Sequence, residues 1–290
     1  MFHKIKKPLE KKEDRFNKWI IKDRVLNTKN PLIMGILNIT SDSFYDGGKY
    51  IDGKRAVERA HQMKEEGADI IDIGGESTRP ESEPIPVSIE LKRVIPVIEK
   101  LSNVGIPVSI DTYKKGVAEE AIDAGASIVN DISGLRFDKK LPSIIAEKKV
   151  GYILMHMLGT PKNMQKNPYY DNVIDEILNF FKERLKFAQN SGISYENIVI
   201  DPGIGFGKRL EDNIEIIRNI QTFTSLGRPI LLGVSRKSFI GGITGLDKDE
   251  RLEGSLAAVS SGFYGGVRIF RVHDVKETKR FLMVLNNLRT

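Results

Sequence analysis

The side chains in this sequence best suited to chemistry share one placement: each closes or follows a short apolar run. Asn38 ends Leu-Ile-Met-Gly-Ile-Leu-Asn, Asp72 and Glu76 lie at and after Ile-Ile-Asp-Ile, and Asp111 ends Pro-Val-Ser-Ile-Asp. Asn130 and Asp131 end Ile-Val-Asn-Asp, His156 follows Ile-Leu-Met, and Asp201 follows Val-Ile. Lys237 comes after Leu-Leu-Gly-Val-Ser-Arg, and Arg271 and His273 follow Arg-Ile-Phe. A carboxylate beside an amide offers acceptors and donors to a flat heterocycle carrying ring N–H and amino groups, as Asp111 and Asn130 would on consecutive strands. The cations suit a phosphate or a carboxylate. The chain has no cysteine, which excludes disulfides, zinc-thiolate sites and a thiol nucleophile. No spacing argues for a Ser/His/Asp triad, and no paired-His motif argues for a catalytic zinc. His156 by itself reads as structural.

Such residues converge only if their strands run parallel and finish around one mouth. Strand-like runs recur at 32–37, 69–73, 107–110, 127–130, 151–155, 197–200, 229–233 and 267–270, with helically spaced apolar residues between them at 53–66, 88–101, 171–189 and 274–288. Gly67, Gly125 and Gly192 fall where a left-handed helix cap is wanted. Alternating β and α units predict a parallel sheet, and eight units in the body predict the closed (β/α)8 TIM barrel, an α/β fold with its chemistry at the C-terminal rim. A doubly wound open sheet is the alternative, but it would use only a few strand ends. The expected division is a basic arm or hairpin over residues 1–30 and a barrel over 31–290. Trp19, Ile20, Ile21 and Val25 would pack the hairpin under the barrel, and loss of residues 1–20 is expected to leave turnover intact.

Four loops carry most of the signal. The first strand leads into Asn38-Ile-Thr-Ser-Asp-Ser-Phe-Tyr-Asp-Gly-Gly48, where Asn38 can offer oxygen to Mg2+ or its amide to a phosphate; an Asn/Asp-rich turn is an equal reading of the loop alone. The second leads into Gly74-Gly-Glu-Ser-Thr-Arg-Pro80, where Pro80 stiffens the approach of Arg79 to an anion. The run Asp201-Pro-Gly-Ile-Gly-Phe-Gly-Lys208 is neither a P-loop nor a dinucleotide fingerprint. Its glycines are expected to mark backbone tight against a bound ring. Lys237 and Ser238 open a helix after the seventh strand and are expected to hold a carboxylate or phosphate there. Arg271 and His273 face one way by strand alternation and suit a pyrophosphate. Met155 and Met157 belong to the pocket wall or the core.

Net charge is +6, and its distribution matters more than its size. Residues 1–30 hold 10 Lys/Arg against 4 acids, whereas the other 260 residues carry 35 of each sign. The body is therefore not a nucleic-acid reader on charge grounds. No apolar run approaches a membrane span, and the N-terminus is charged where a signal peptide needs an apolar stretch. A cytoplasmic protein without nucleic-acid or membrane partners is expected.

The ordered set Met34-Gly-Ile-Leu-Asn-Ile-Thr-Ser-Asp-Ser-Phe44, Asp72-Ile-Gly-Gly-Glu-Ser-Thr-Arg-Pro80, Ser109-Ile-Asp-Thr112, Val129-Asn-Asp-Ile-Ser-Gly134, Asp201-Pro-Gly-Ile-Gly-Phe-Gly-Lys208, Ser235-Arg-Lys-Ser-Phe239 and Arg271-Val-His273 closely resembles the dihydropteroate synthase family of pterin-binding barrels. The resemblance implies a homodimeric, Mg2+-using transferase of folate biosynthesis that sulfonamides inhibit. Such an enzyme joins 6-hydroxymethyl-7,8-dihydropterin pyrophosphate to p-aminobenzoate, giving 7,8-dihydropteroate and pyrophosphate. By matching position it implies that Asp111, Asn130, Asp201 and Lys237, with Met155 and Phe206, hold the pterin. Asn38, Arg271 and His273 would hold pyrophosphate, with Asn38 also on Mg2+, so that Asn38, Lys237, Arg271 and His273 carry the catalysis. Thr78, Arg79, Pro80 and Ser238 would hold aminobenzoate, and Phe44 and Asp46 would sit on a closing loop. Tyr45 and Leu158 depart from the pattern; a small residue is common where Tyr45 stands. Methyltetrahydrofolate-corrinoid methyltransferases resemble the chain around Asp111, Asn130 and Asp201, but have no use for the Ser-Thr-Arg-Pro loop. A non-catalytic pterin-binding protein would be expected to lose Asn38, Arg79 or Lys237.

Overall fold

The computed structural model describes residues 17–39 and 49–288, with side chains omitted at 49–52. The arm before residue 17, and Phe44, Tyr45 and Asp46, lie outside the described residues. A hairpin of β1 (Lys18–Ile21) and β2 (Arg24–Asn27) precedes the body. The body alternates β3 (Leu32–Asn38), α1 (Lys49–Glu66), β4 (Ile70–Gly74), α2 (Val87–Leu101), β5 (Val108–Asp111), α3 (Lys115–Asp123), β6 (Ile128–Asp131) and α4 (Leu141–Lys148). It continues with β7 (Gly151–Met155), α5 (Val173–Asn190), β8 (Ile198–Asp201), α6 (Leu210–Arg218), β9 (Leu231–Leu232), α7 (Ser238–Thr244), α8 (Leu252–Tyr264), β10 (Ile269–Val272) and α9 (Val275–Leu288).

The eight body strands pair in parallel in the order β8-β7-β6-β5-β4-β3-β10-β9. A parallel bridge between Ile200 and Ile230 closes the ring, so the architecture is the TIM barrel and not the open sheet. The seventh strand is shorter than its apolar run. Arg228, almost fully buried just before it, takes over part of the seam: its Nε donates to the Ile198 carbonyl at 2.8 Å.

Strand alternation sorts the side chains. Outward residues such as Ile71, Ile110, Val129, Leu154 and Phe270 pack under the helices in the main core. Inward residues at the strand starts form a second core of Met34, Ile70, Ile128, Ile153, Val199, Leu231 and Ile269, onto which Trp19 and Ile21 of the hairpin pack. The hairpin is thus a stopper for the barrel floor. Trp19 Nε1 donates to the Asn197 carbonyl at 2.7 Å. Gly151 leaves room for it, since a Cβ there would stand 2.4 Å from Ile21 Cγ2. One expectation changes: Val25 is 58% exposed, because β2 faces outward. Residues 18–20 include the core residue Trp19, so their loss would cost stability.

Candidate active site

The rim begins one step further along the same inward rows. Ile70 is succeeded by Asp72, Ile128 by Asn130, Val199 by Asp201 and Ile269 by Arg271. Two residues of strand advance about 7 Å, enough to pass from a sealed apolar floor to a polar mouth.

Arg271 joins three strands there, β10, β4 and β5, and Asp72 links them to a fourth. The Arg271 Nε donates to Asp72 Oδ2 at 2.6 Å and its Nη2 to Asp111 Oδ2 at 2.8 Å. Asn130 Nδ2 donates to the same Asp72 oxygen at 3.1 Å. One guanidinium faces two buried carboxylates and cannot neutralise both. Burial, against the pull of Arg271 and with the push of Asp72, raises the Asp111 carboxyl to about 7. Asp201 is likewise raised to about 6 by burial, although its Oδ1 accepts from the Gly203 N–H at 2.8 Å. Burial and the neighbouring Arg271 lower Lys237 to about 8. The Lys237 ammonium lies over the Phe206 ring, 4.3 Å from its centroid, in a cation–π contact.

A cavity of about 370 Å³ opens at this rim. Asn38, Thr78, Arg79, Pro80, Phe206, Lys237, Ser238, Arg271 and His273 all lie on its wall, so one space gathers loops distant in sequence. Asp111, Asn130, Asp201 and Met155 are buried and do not line it. Asp111 is covered by its contact with Arg271, and Met155 packs with Ile132, Met157 and Met164 beside Phe206.

The fold gives several of these residues a definite setting. Gly203 and Gly207 do not lie against the cavity. They press on the segment after β7, where a Cβ would stand 2.0 Å from the His156 carbonyl and 2.6 Å from that of Leu158, respectively. Only Gly205 of the three reaches the cavity wall. Lys237 stands at the N-cap of α7, and its side chain lies over Phe206 on the cavity wall. Burial and the neighbouring Arg271 lower the His273 imidazole to about 3, which favours its neutral form, and its Nδ1 lies 3.1 Å from Ser235 Oγ. Asp131 is structural. It accepts from the Ser133 and Leu135 N–H groups and from the Tyr152 hydroxyl. His156 is structural too, with Nδ1 3.0 Å from the buried Lys208 ammonium.

Other residues gain their roles only from the fold. Asp72 was visible as a strand end, yet nothing in one dimension says that Arg271 returns to it. Lys208, lowered to about 7 by burial, braces the glycine run by donating to the Phe206 carbonyl at 3.1 Å. Lys114 meets Glu76 and Glu90 through contacts 38 and 24 residues apart, which no local pattern shows.

A parallel barrel with a polar rim defines a class of enzyme before it defines a reaction. The family model described as "Pterin binding enzyme" matches residues 34–273. The dihydropteroate synthase of Bacillus subtilis (strain 168) is 45% identical over 256 residues, covering 88% of this chain and 87% of that protein. A solved Xanthomonas albilineans dihydropteroate synthase with 4-aminobenzoic acid superposes with TM-score 0.89 at 40% identity, covering 95% of this chain and 99% of that one. A second structure from that organism, in complex with 7,8-dihydropteroate, gives 0.86 at 38% identity over 94% and 99% of the two chains. The chain belongs to the pterin binding enzyme family, in its dihydropteroate synthase line.

Proposed function

We propose that the gathered rim binds the two substrates of dihydropteroate synthesis side by side and expels pyrophosphate between them. The protein is a transferase that condenses 6-hydroxymethyl-7,8-dihydropterin pyrophosphate with p-aminobenzoate. The bond from the pterin methylene to the pyrophosphate oxygen breaks, and that oxygen keeps the electron pair. The amine nitrogen forms the new C–N bond and sheds one proton. No protein nucleophile is required.

Asp111, Asn130 and Asp201 are assigned to the pterin ring. Asp72 Oδ1 and Asp111 Oδ1 are buried without a partner among the described residues. Each such oxygen costs roughly 1–3 kcal/mol, which a ring donor reaching Asp111 would relieve there. Phe206 and Met155 supply the apolar side, and the Lys237 ammonium neutralises the carboxylates beside the ring. Arg271, His273 and Asn38 are assigned to the pyrophosphate, whose negative charge grows as it leaves. Thr78, Arg79, Pro80 and Ser238 are assigned to aminobenzoate, with Arg79 on its carboxylate. Electron donation from the dihydropterin ring stabilises a cation at the methylene; a pterin–protein covalent adduct trapped on the normal route would contradict that path.

Magnesium fits this rim as a companion of the substrate. No cluster of three or more His, Cys, Asp or Glu side chains among the described residues could hold a metal. Asn38 lies on the cavity wall beside Arg271 and His273, the residues assigned to the pyrophosphate. Asn38 would contribute the chain's oxygen, with pyrophosphate and water completing the shell. When bound, the ion would neutralise charge on the leaving group.

A homodimer is the proposed assembly, supported by exposed Tyr264 on α8 and exposed Met283, Val284 and Leu288 on α9. Among the described residues no helix is long and apolar enough to cross a membrane. The absence of cysteine accords with a cytoplasmic site of action.

The observation that carries this reading is the common wall shared by Asn38, Arg79, Lys237 and Arg271. Purified protein given the pterin pyrophosphate, Mg2+ and p-aminobenzoate should release pyrophosphate and form 7,8-dihydropteroate in equal amounts. Pyrophosphate release that ignores aminobenzoate would reject the transfer.

A further inference from the structure

Lys114 stands three residues past Asp111, at the N-cap of α3, outside every role assigned above. Its side chain is only 13% exposed, and the three donors of its ammonium are all used. They reach Glu76 Oε2 at 2.6 Å, Glu90 Oε2 on α2 at 2.7 Å and the Ile85 carbonyl at 2.7 Å. Glu76 Oε2 also accepts the Ile85 N–H at 2.7 Å, and its Oε1 accepts the Tyr113 hydroxyl at 2.7 Å. Glu76 and Ile85 are the two ends of the loop that carries Thr78, Arg79 and Pro80. Both ends are therefore tied to each other and to the strand end that bears Asp111.

The tip is built differently. Ser82 Oγ closes a local turn onto the Ser77 and Arg79 carbonyls, and Arg79 itself is exposed. Two contacts from the segment after β7 reach that turn: the Glu81 N–H donates to the Pro161 carbonyl at 3.0 Å, and the exposed Lys162 ammonium pairs with Glu83 at 2.8 Å. Two nearly buried carboxylates share one ammonium, so the clamp depends on Lys114 more than on either acid.

We propose that Lys114 is a positioning residue for the transfer reaction: by locking Glu76 to Ile85 it sets the placement of Thr78, Arg79 and Pro80, and with it the affinity for aminobenzoate but not for the pterin. This rests on assigning that loop to aminobenzoate. The loop swings about its stem when the lock is lost, while Asp111, Asn130 and Asp201 keep their own partners.

The test is Lys114→Met, which keeps the aliphatic stem and removes the charge. The KM for p-aminobenzoate should rise at least tenfold. The Kd for the pterin pyrophosphate and kcat at saturating aminobenzoate should stay within about threefold. Should this variant fail to fold, Lys114→Met with Glu90→Gln removes the surplus buried carboxylate and carries the same expectation. An unchanged KM for aminobenzoate, or an equal loss of affinity for both substrates, would overturn the proposal. Arg79→Ala separates the two layers. If it raises that KM and the Lys114 variant does not, the clamp fails alone; if Arg79→Ala leaves it unchanged, the loop assignment has failed beneath it.

Discussion

The two ends of the barrel are made from the same strands and share almost nothing else. At the floor, Ile70, Ile128, Val199 and Ile269 meet Trp19 and Ile21 in a buried apolar layer. Two residues later the same rows present the buried Asp72, Asn130 and Asp201 and the partly exposed Arg271, polar groups held by a few charged contacts. The floor gains from apolar area removed from water. The rim costs stability, since desolvated carboxylates and ammonium groups are shifted toward their neutral forms. The contrast shows a division of labour along each strand, in which packing at one end supports strain at the other.

The sharpest way to break that contrast is to exchange the consequences of damage. Lys237→Ala should lower turnover by about 10²-fold or more if the ammonium contributes ~3 kcal/mol to the transition state, with the melting temperature held or raised. Steady-state kinetics with a thermal melt would check it; near-normal turnover would remove the assigned role. Trp19→Ala should do the reverse. It should cost about 3–5 kcal/mol of stability in chemical denaturation, while turnover per folded molecule stays within twofold. Loss of turnover in folded protein would show that floor and rim are coupled.

A pH series sharpens the comparison further. Asp201 titrates near 6 in the folded protein against an ordinary 3.8. A raised carboxyl favours folding while protonated, so its contribution is full below about pH 4 and is lost as pH rises through about 6. Asp201→Asn should remove that loss, amounting to at most about 3 kcal/mol, and make the variant relatively more stable at pH 8 than at pH 4. Equal pH dependence in both proteins would contradict the buried-carboxyl assignment. In turnover, kcat/KM should fall at low pH as Asp111 and Asp201 protonate, and at high pH as Lys237, lowered to about 8, loses its charge. The smallest expected effect lies on the hairpin itself. Val25→Ser, on its exposed face, should change stability by no more than about 0.5 kcal/mol, against the large loss at Trp19. A loss comparable to that of Trp19→Ala would show that the hairpin has no outer face.

Much of this was legible in one dimension because strand polarity is a sequence property. Asn38, Asp111, Asn130, Asp201, Lys237 and Arg271 follow apolar runs, and parallel strands bring such ends to one rim. What escaped depends on three-dimensional return. Arg271 meets Asp72 from 199 residues away, and Lys114 meets Glu76 and Glu90 from separate loops. The glycine run misled for a related reason: tight backbone signals a close approach but not its partner, which is the carbonyl of His156. The fate of Asp131 was invisible because its neighbours in sequence, Ser133 and Leu135, satisfy it through their backbone N–H groups.

The most direct measurement is the structure of the protein with the dihydropterin pyrophosphate bound. The ring should lie within hydrogen-bond distance of Asp111, Asn130 and Asp201, with Arg271 turned from Asp111 toward the phosphates. A ring seated elsewhere, with the contact between Arg271 and Asp111 intact, would contradict a rim built for this substrate.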